Sequence, residues 1–239
     1  MSTIKRWLFG VAGVAILGVL ALLLLPEGGK ETPTPVKERK RPDRTEVLKD
    51  TINGHEWVDL GLPSGLKWAS CNVGASKPEE FGDYYAWGET EPKDDYSTIN
   101  SLTYKVSFRA LKKSGIVDES GILTKQHDAA NAVWGGTWRM PTDEEYQELI
   151  SSCKWIFASF NGVNGYLVTG PNEKNIFLPA AAFRQDMTIE NVGEFGDYWS
   201  ATIVKELSGV SCSLGYSSKS YGRRRYARYA GRTIRAVTD

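Results

Sequence analysis

Hydrophobic and polar residues follow three different patterns along the chain, and each pattern predicts a different kind of structure. Trp7 to Leu25 are 19 uncharged and mostly apolar positions, whereas residues 26–50 are rich in Pro, Glu, Lys and Thr. From residue 51 onward, short apolar runs alternate with turn residues. The patterns predict an apolar anchor over residues 1–25, a flexible linker over 26–50 and a folded domain over 51–239.

The apolar segment is long enough to cross a membrane as one helix. At 1.5 Å per residue its length is roughly 28 Å, close to the hydrocarbon thickness of a bilayer. We therefore predict one N-terminal transmembrane helix. The alternative is a cleaved signal peptide, because Lys5 and Arg6 precede the segment, but Pro26 and Glu27 follow it without a small-residue cleavage site.

The orientation of this helix has two opposing indications. A cluster of five basic residues between positions 37 and 44 follows the segment, which by the positive-inside rule alone places the domain in the cytoplasm. These residues are Lys37, Arg39, Lys40, Arg41 and Arg44. The family resemblance described below favours export instead.

Two pairs of apolar runs predict β-hairpins. One pair flanks Pro63, Ser64 and Gly65, and the other, Tyr166 to Thr169 and Asn175 to Leu178, flanks a Gly-Pro-Asn turn. The stretches "GDYWSATI", "VSCSLGYS" and "RYARYAGRTIRAV" predict further strands.

Helices are few in the predicted domain. Thr142 and Glu145 form a capping-box pattern at the start of one helix. Its predicted buried stripe consists of Tyr146, Leu149, Ile150 and Cys153. A second, shorter helix is predicted over about Gln126 to Trp134. Together with eight Trp, eleven Tyr and 24 Gly, which suit strands and turns, these patterns predict an α+β fold.

The charge is balanced overall but uneven along the chain. The formal net charge is zero, yet Leu207 to Thr238 contains no Asp or Glu. Seven basic residues fall there: Lys219, Arg223, Arg224, Arg225, Arg228, Arg232 and Arg235. Acidic residues crowd Glu79 to Asp95, so the two segments either face each other or face different partners.

Six motifs in order carry a family resemblance. They are "VDLGLPSGLKWASCNVGA", "FGDYYAWGETEPK", "WGGTWRMPTDEEYQEL", "NGVNGYLVTGPN", "IFLPAAAFR" and "GDYWSAT". The chain is similar over about Val58 to Val237 to the Fibrobacter succinogenes major paralogous domain family. The resemblance implies a C-type-lectin-like fold of two helices and a twisted antiparallel sheet, in which the N- and C-terminal strands meet and the later strands display a binding face. It also implies a periplasmic or extracellular domain without known catalytic residues.

The C-terminal segment departs from the family pattern. Relatives carry Asn, Ser, Tyr and Trp before a closing "RPV", whereas this chain has "GRRRYARYAGRTIRAV". Some proteins of this fold diversify that segment by reverse-transcription-driven mutagenesis, and there the changed side chains contact the ligand. Diversification of this chain is therefore a hypothesis.

The Arg- and Tyr-rich segment is the candidate ligand-binding site. In an extended strand Arg224, Tyr226 and Arg228 share one face and Arg223, Arg225 and Tyr229 the other. The predicted ligand-binding residues are Tyr216, Lys219, Tyr221, Arg223, Arg224, Arg225, Tyr226, Arg228 and Tyr229. Guanidinium groups bind carboxylate, sulfate or phosphate, and Tyr adds rigid contact area, so we expect an anionic glycan or protein partner.

Three alternatives to this site and partner follow from the same residues. In the first alternative the arginines are solvated, and in the second they are paired with acids between Glu79 and Asp95. In the third, the protein is a structural or assembly component of the cell envelope that contacts polyanions nonspecifically. Nucleic acid is not expected, since no nucleic-acid-binding motif accompanies the charge.

The remaining chemistry in the sequence is sparse. Cys71 and Cys153 are expected either to form one disulfide or to be buried thiols. We expect no enzyme activity, no cofactor and no metal. Glu91-Pro92-Lys93 resembles the calcium-binding Glu-Pro-Asn motif of lectins, but Lys93 stands where an amide ligand is needed. Arg139 is expected to pair with an acid.

Overall fold

The computed structural model describes residues 51–239, in which antiparallel strands predominate and helices are few. This arrangement confirms the predicted α+β class. The predicted membrane helix over residues 1–25 and the linker over 26–50 lie outside the described residues. Within residues 51–239, the helices are too short or too polar to cross a bilayer.

The helices of the described residues are short. They are α1 (Phe108–Lys113), α2 (Ala129–Trp134) and α3 (Asp143–Ser152), with a 3₁₀ turn at Lys125–His127. The predicted helix near residue 130 is divided between this turn and α2, because Asp128 has extended backbone and caps α2 by accepting from Asn131 N. Helix α1 was not predicted, since Leu111 is its one buried residue and its periodic signal is therefore weak.

The capping box of α3 is confirmed. Thr142 Oγ1 accepts from Glu145 N at 3.2 Å, and Glu145 Oε2 accepts from Thr142 N at 2.7 Å. Tyr146 and Leu149 are fully buried, as the stripe predicted. The end of the stripe is not buried, because the helix stops at Ser152 and the half-buried Cys153 is its C-cap.

The strands of the described residues form four antiparallel sheets. Their bounds are β1 (Thr51–Ile52), β2 (His55–Asp59), β3 (Lys67–Ala69), β4 (Lys154–Phe160), β5 (Val163–Thr169), β6 (Asn175–Pro179), β7 (Phe183–Gln185), β8 (Thr188–Glu190), β9 (Phe195–Ile203), β10 (Val210–Ser217), β11 (Ser220–Ala227) and β12 (Val237–Thr238). The sheet orders are β1-β2-β3-β12, β4-β5-β6, β7-β8 and β9-β10-β11. Both predicted hairpins, β2–β3 and β5–β6, are confirmed.

Two large hydrophobic clusters and a smaller third cluster lie between these elements. One of the large clusters contains Trp87, Trp138 and Trp199, and the other contains Trp68 and Tyr146. Strand β12 pairs with β3, so the end of the chain packs beside the start of the described residues. The sheet of β9, β10 and β11 packs against α3, and β11 lies at an open edge of this sheet.

Candidate functional site

Strand β11 presents three consecutive arginines at the edge of its sheet. In the register with β10, Arg223 lies opposite Leu214, Arg224 opposite Ser213 and Arg225 opposite Cys212. Because side chains alternate along a strand, Arg223 and Arg225 project to one face and Arg224 to the other. All three side chains are exposed.

One of the three arginines is neutralised by the protein. Arg223 Nη1 donates to Asp143 Oδ2 at 2.8 Å, in the first turn of α3. Burial raises the pKa of Asp143, and the charge of Arg223 opposes that shift. The pair joins β11 to the first turn of α3.

The other two arginines keep their charges free. Within residues 51–239, neither Arg224 nor Arg225 forms an ion pair, and the same holds for Lys219 in the β10–β11 turn. The three arginines, Asp143 and Cys212 line a pocket of about 340 Å³. An anion in this pocket would therefore contact two guanidinium groups that are not already paired with a carboxylate.

The tyrosines of the segment differ in accessibility. Tyr221 is exposed and stacks on the half-buried Trp155, with ring centroids 4.6 Å apart and an interplanar angle of 12°. Tyr226 packs against the guanidinium of Arg232, and Tyr229 packs edge-on against Tyr104. Tyr221 is thus the tyrosine that offers the most surface to a ligand.

Two predicted site residues are buried and cannot contact a ligand at the surface. Tyr216 is 4% exposed, and its hydroxyl donates to Leu178 O at 2.6 Å. Arg228 is fully buried. The prediction for Arg228 was wrong because β11 ends at Ala227, so the strand alternation does not extend to it.

The guanidinium of Arg228 serves the fold. It donates to four backbone carbonyls and one hydroxyl, and it lies 5.0 Å from the ring centre of Trp87. Burial lowers the pKa of Arg228 to about 10, which leaves it charged at neutral pH. Arg235 is likewise fully buried and donates to the backbone oxygens of Ala69, Ser70 and Phe177.

The acidic stretch does not neutralise the basic segment. The ion-pair partners of Arg223 and Arg232 among the described residues are Asp143 and Asp197, not the acids between Glu79 and Asp95. Lys93 instead pairs with Glu89 at 2.7 Å and donates to Asn100 O. The described part of the chain contains no cluster of acids, His and Cys arranged to hold a metal ion.

The predicted pairing of Arg139 is confirmed. Its Nη1 and Nη2 donate to the two carboxylate oxygens of Glu145 at 2.8 and 2.7 Å. Glu145 is also the capping-box residue of α3, so this pair holds the helix that carries Asp143.

The predicted disulfide between Cys71 and Cys153 is not formed. The alternative of a buried thiol holds for Cys71, whereas Cys153 is half-buried. All three cysteines of the described residues are free. Cys71 lies in the cluster with Trp87, whereas Cys153 packs against the cluster with Tyr146, so the two side chains belong to different parts of the core. Cys71 Sγ donates to Ala75 O at 3.2 Å.

Sequence reasoning missed three residues that shape the site: Asp143 as a partner of Arg223, Trp155 as the support of Tyr221, and Asp197 beneath Arg224. Asp143 was visible only as an acid in the first turn of a helix. Trp155 is half-buried and packs against the cluster that contains Tyr146, a contact that no local pattern indicates. Asp197 lies in the stretch "GDYWSAT", which was predicted, like the basic segment, to be a C-terminal strand. That shared prediction was the one available signal that Asp197 lies near the basic strand.

No family model, curated protein or solved structure matches this chain. The site is therefore interpreted from its own geometry.

Proposed function

We propose that this chain is a membrane-tethered binding protein of the cell envelope, which recognises an anionic glycan or protein through the exposed arginines of β11. The observation that carries the proposal is the pair of unneutralised charges on Arg224 and Arg225, beside an Arg223 that is already held by Asp143. Two guanidinium groups on one rigid strand can bind carboxylate, sulfate or phosphate groups with several charge-assisted hydrogen bonds.

The architecture supports placing the ligand at this strand. Strand β11 is paired along eight residues with β10, so the arginine backbones are fixed before a ligand arrives. A pre-organised backbone loses less conformational entropy on binding. Tyr221, stacked on Trp155, adds rigid contact area at the same strand.

We also propose that the domain has a C-type-lectin-like fold. The pairing of β12 with β3 supports it, because that fold brings the terminal strands together. The location of the basic strand in the late sheet β9-β10-β11 supports it as well. Tethering through residues 7–25, with the domain outside the cytoplasm, completes the proposal.

Recognition without turnover is the form of activity that we propose. His55 stacks on Trp134 with ring centroids 4.0 Å apart, and His127 Nδ1 lies 3.1 Å from Gly88 O, so each is engaged in local structure. Burial raises the pKa of Cys153 and of Cys212 to about 11, which disfavours the nucleophilic thiolate.

An array of acidic glycans and acidic proteins, probed at about 0.1 M and about 0.5 M salt, tests the proposal. Selective binding that survives the higher salt supports recognition of a defined ligand. Uniform binding to all polyanions that disappears with salt would instead support a structural role in the envelope with nonspecific contact. Absence of binding to every anion on the array would overturn both.

A further inference from the structure

The face of the sheet opposite Asp143 contains a buried carboxylate with an unsatisfied oxygen. Asp197 on β9 is 5% exposed, and its Oδ1 has no hydrogen-bond partner among residues 51–239. Its Oδ2 lies 3.5 Å from Arg232 Nε. An unpaired acceptor in the interior costs free energy, so Oδ1 favours a donor that enters the pocket from outside the chain.

The carboxylate lines a small open pocket beside Arg224. The pocket has a volume of about 80 Å³ and is lined by Phe195, Gly196, Asp197, Tyr216, Ser217, Ser220, Arg224 and Tyr226. A water molecule needs roughly 10–15 Å³ of cavity volume, so the pocket has room for a hydroxyl-bearing group. It abuts a larger pocket of about 420 Å³, with which it shares Phe195 and Ser217.

Gly215 separates the carboxylate from Arg224. A Cβ at Gly215 would lie 2.9 Å from Asp197 Oδ1 and 2.7 Å from Arg224 Cγ. Because Gly215 has no side chain, the carboxylate of Asp197 and the methylene groups of Arg224 can both lie close to it. Directly opposite on β11 is Gly222, where a Cβ would meet Arg224 Nη1 at an ordinary distance of 3.4 Å.

The charges around the pocket restrict what it can bind. A bare sulfate or phosphate would be repelled by the Asp197 carboxylate at the base of the pocket. A bare ammonium would be repelled by Arg224 and Arg232. A neutral hydroxyl can donate to Oδ1, while an acidic group on the same molecule accepts hydrogen bonds from Arg224.

We infer that this pocket binds a hydroxyl group of an acidic sugar, so that the ligand of the protein is a hydroxylated anion such as a uronate-containing glycan. The inference rests on the proposed function and narrows its ligand class. The larger neighbouring pocket, lined in part by Phe157, Asn164 and Lys219, gives space for the next sugar residues. Its aromatic rings and amide group suit the apolar and polar faces of a pyranose.

The pKa of Asp197 is compatible with this role. Burial raises its pKa to about 6, and the charge of Arg232 opposes that shift. At neutral pH the carboxylate is therefore mainly ionised and able to accept.

Isothermal titration of the full-length chain in detergent micelles with two probes tests the inference. The probes are trigalacturonate, which has hydroxyl groups, and end-blocked triglutamate, which carries the same number of carboxylates without hydroxyl groups. We expect the wild-type chain to bind trigalacturonate at least about tenfold more tightly, the effect of one charge-assisted hydrogen bond. Gly215→Ala should reduce that preference to less than about twofold, since its Cβ occupies the space between Asp197 and Arg224.

Gly222→Ala is the matched control, because it makes the same substitution at the paired position of the next strand. It should leave the preference unchanged. If Gly215→Ala does not fold, Asp197→Asn replaces it as the test variant and should lose the preference in the same way. Equal affinities of the wild-type chain for both probes would overturn the inference and leave the proposed function standing. Failure of the wild-type chain to bind either probe would contradict the proposed function as well.

Discussion

Arg223 Nη1 lies 2.8 Å from Asp143 Oδ2, and this contact joins strand β11 to helix α3 across 80 positions of the sequence. The Arg223 side chain remains 43% exposed, so the pair is screened by water. Exposed pairs of this kind contribute about 0–1 kcal/mol to stability. The contact therefore matters more for the position of the neighbouring Arg224 and Arg225 than for the stability of the fold.

The buried Arg228 is predicted to stabilise the domain far more than its exposed neighbour Arg225. Arg228→Met removes a buried guanidinium that donates to the carbonyls of Thr103, Val106 and Val210, so the free energy of unfolding should fall by about 3 kcal/mol or more. Arg225→Met, which removes the same charge at an exposed position, should change it by less than about 0.5 kcal/mol.

Urea denaturation of the two variants measures this difference. Equal stabilities would mean that Arg228 is not the buried donor described above, and it would become a ligand-binding candidate again.

The three thiols provide a test of the core. Reaction with a thiol reagent in denaturant, without prior reduction, should modify three cysteines per chain. In the native state at about pH 8, Cys153 and Cys212 should react slowly, because burial raises the pKa of each to about 11 and leaves well under 1% thiolate. A single reactive thiol in denaturant would show that Cys71 and Cys153, or another pair, form a disulfide.

Asp197 should make stability depend on pH. Burial raises its pKa to about 6, above the ordinary value near 3.9, although Arg232 opposes the shift. The folded chain therefore takes up this proton more readily than the unfolded chain between about pH 4 and pH 6. The resulting stabilisation is present at low pH and is lost as the pH rises through about 6.

Denaturation at about pH 5 and about pH 7 isolates this effect when variants are compared. Asp197→Asn should reduce the stability difference between the two pH values by about 1 kcal/mol. Asp94→Asn, at an exposed acid, serves as the control and should leave the difference unchanged. The same reduction in both variants, or in neither, would contradict the assignment to Asp197.

Features encoded over a few residues were predictable from the sequence. The capping box of Thr142 and Glu145 depends on two residues three positions apart, and the β2–β3 and β5–β6 hairpins each depend on one local turn. The placement of Arg224 and Arg225 on opposite faces of a strand followed from alternation, and the structure leaves both side chains exposed.

Features that depend on distant partners were not predictable. The alternation rule grouped Arg228 with Arg224 and Tyr226 on one face because the sequence did not reveal that β11 ends at Ala227. Asp143 is brought to Arg223 by the packing of α3 against the late sheet, and no local pattern indicates that contact. The unsatisfied oxygen of Asp197 depends likewise on tertiary structure, since its surroundings come from three strands and from Arg232.

The most direct test of the account is the affinity of a chain that lacks its two unpaired strand arginines. Arg224→Ala combined with Arg225→Ala should weaken the binding of polygalacturonate and of polyglutamate, measured by isothermal titration at about 0.15 M salt, by at least about tenfold. Arg109→Ala combined with Lys113→Ala removes the same charge from exposed positions at α1 and should change each affinity by less than about twofold. Equal weakening in both double variants, or wild-type affinity in the β11 variant, would contradict the claim that β11 is the ligand-binding strand.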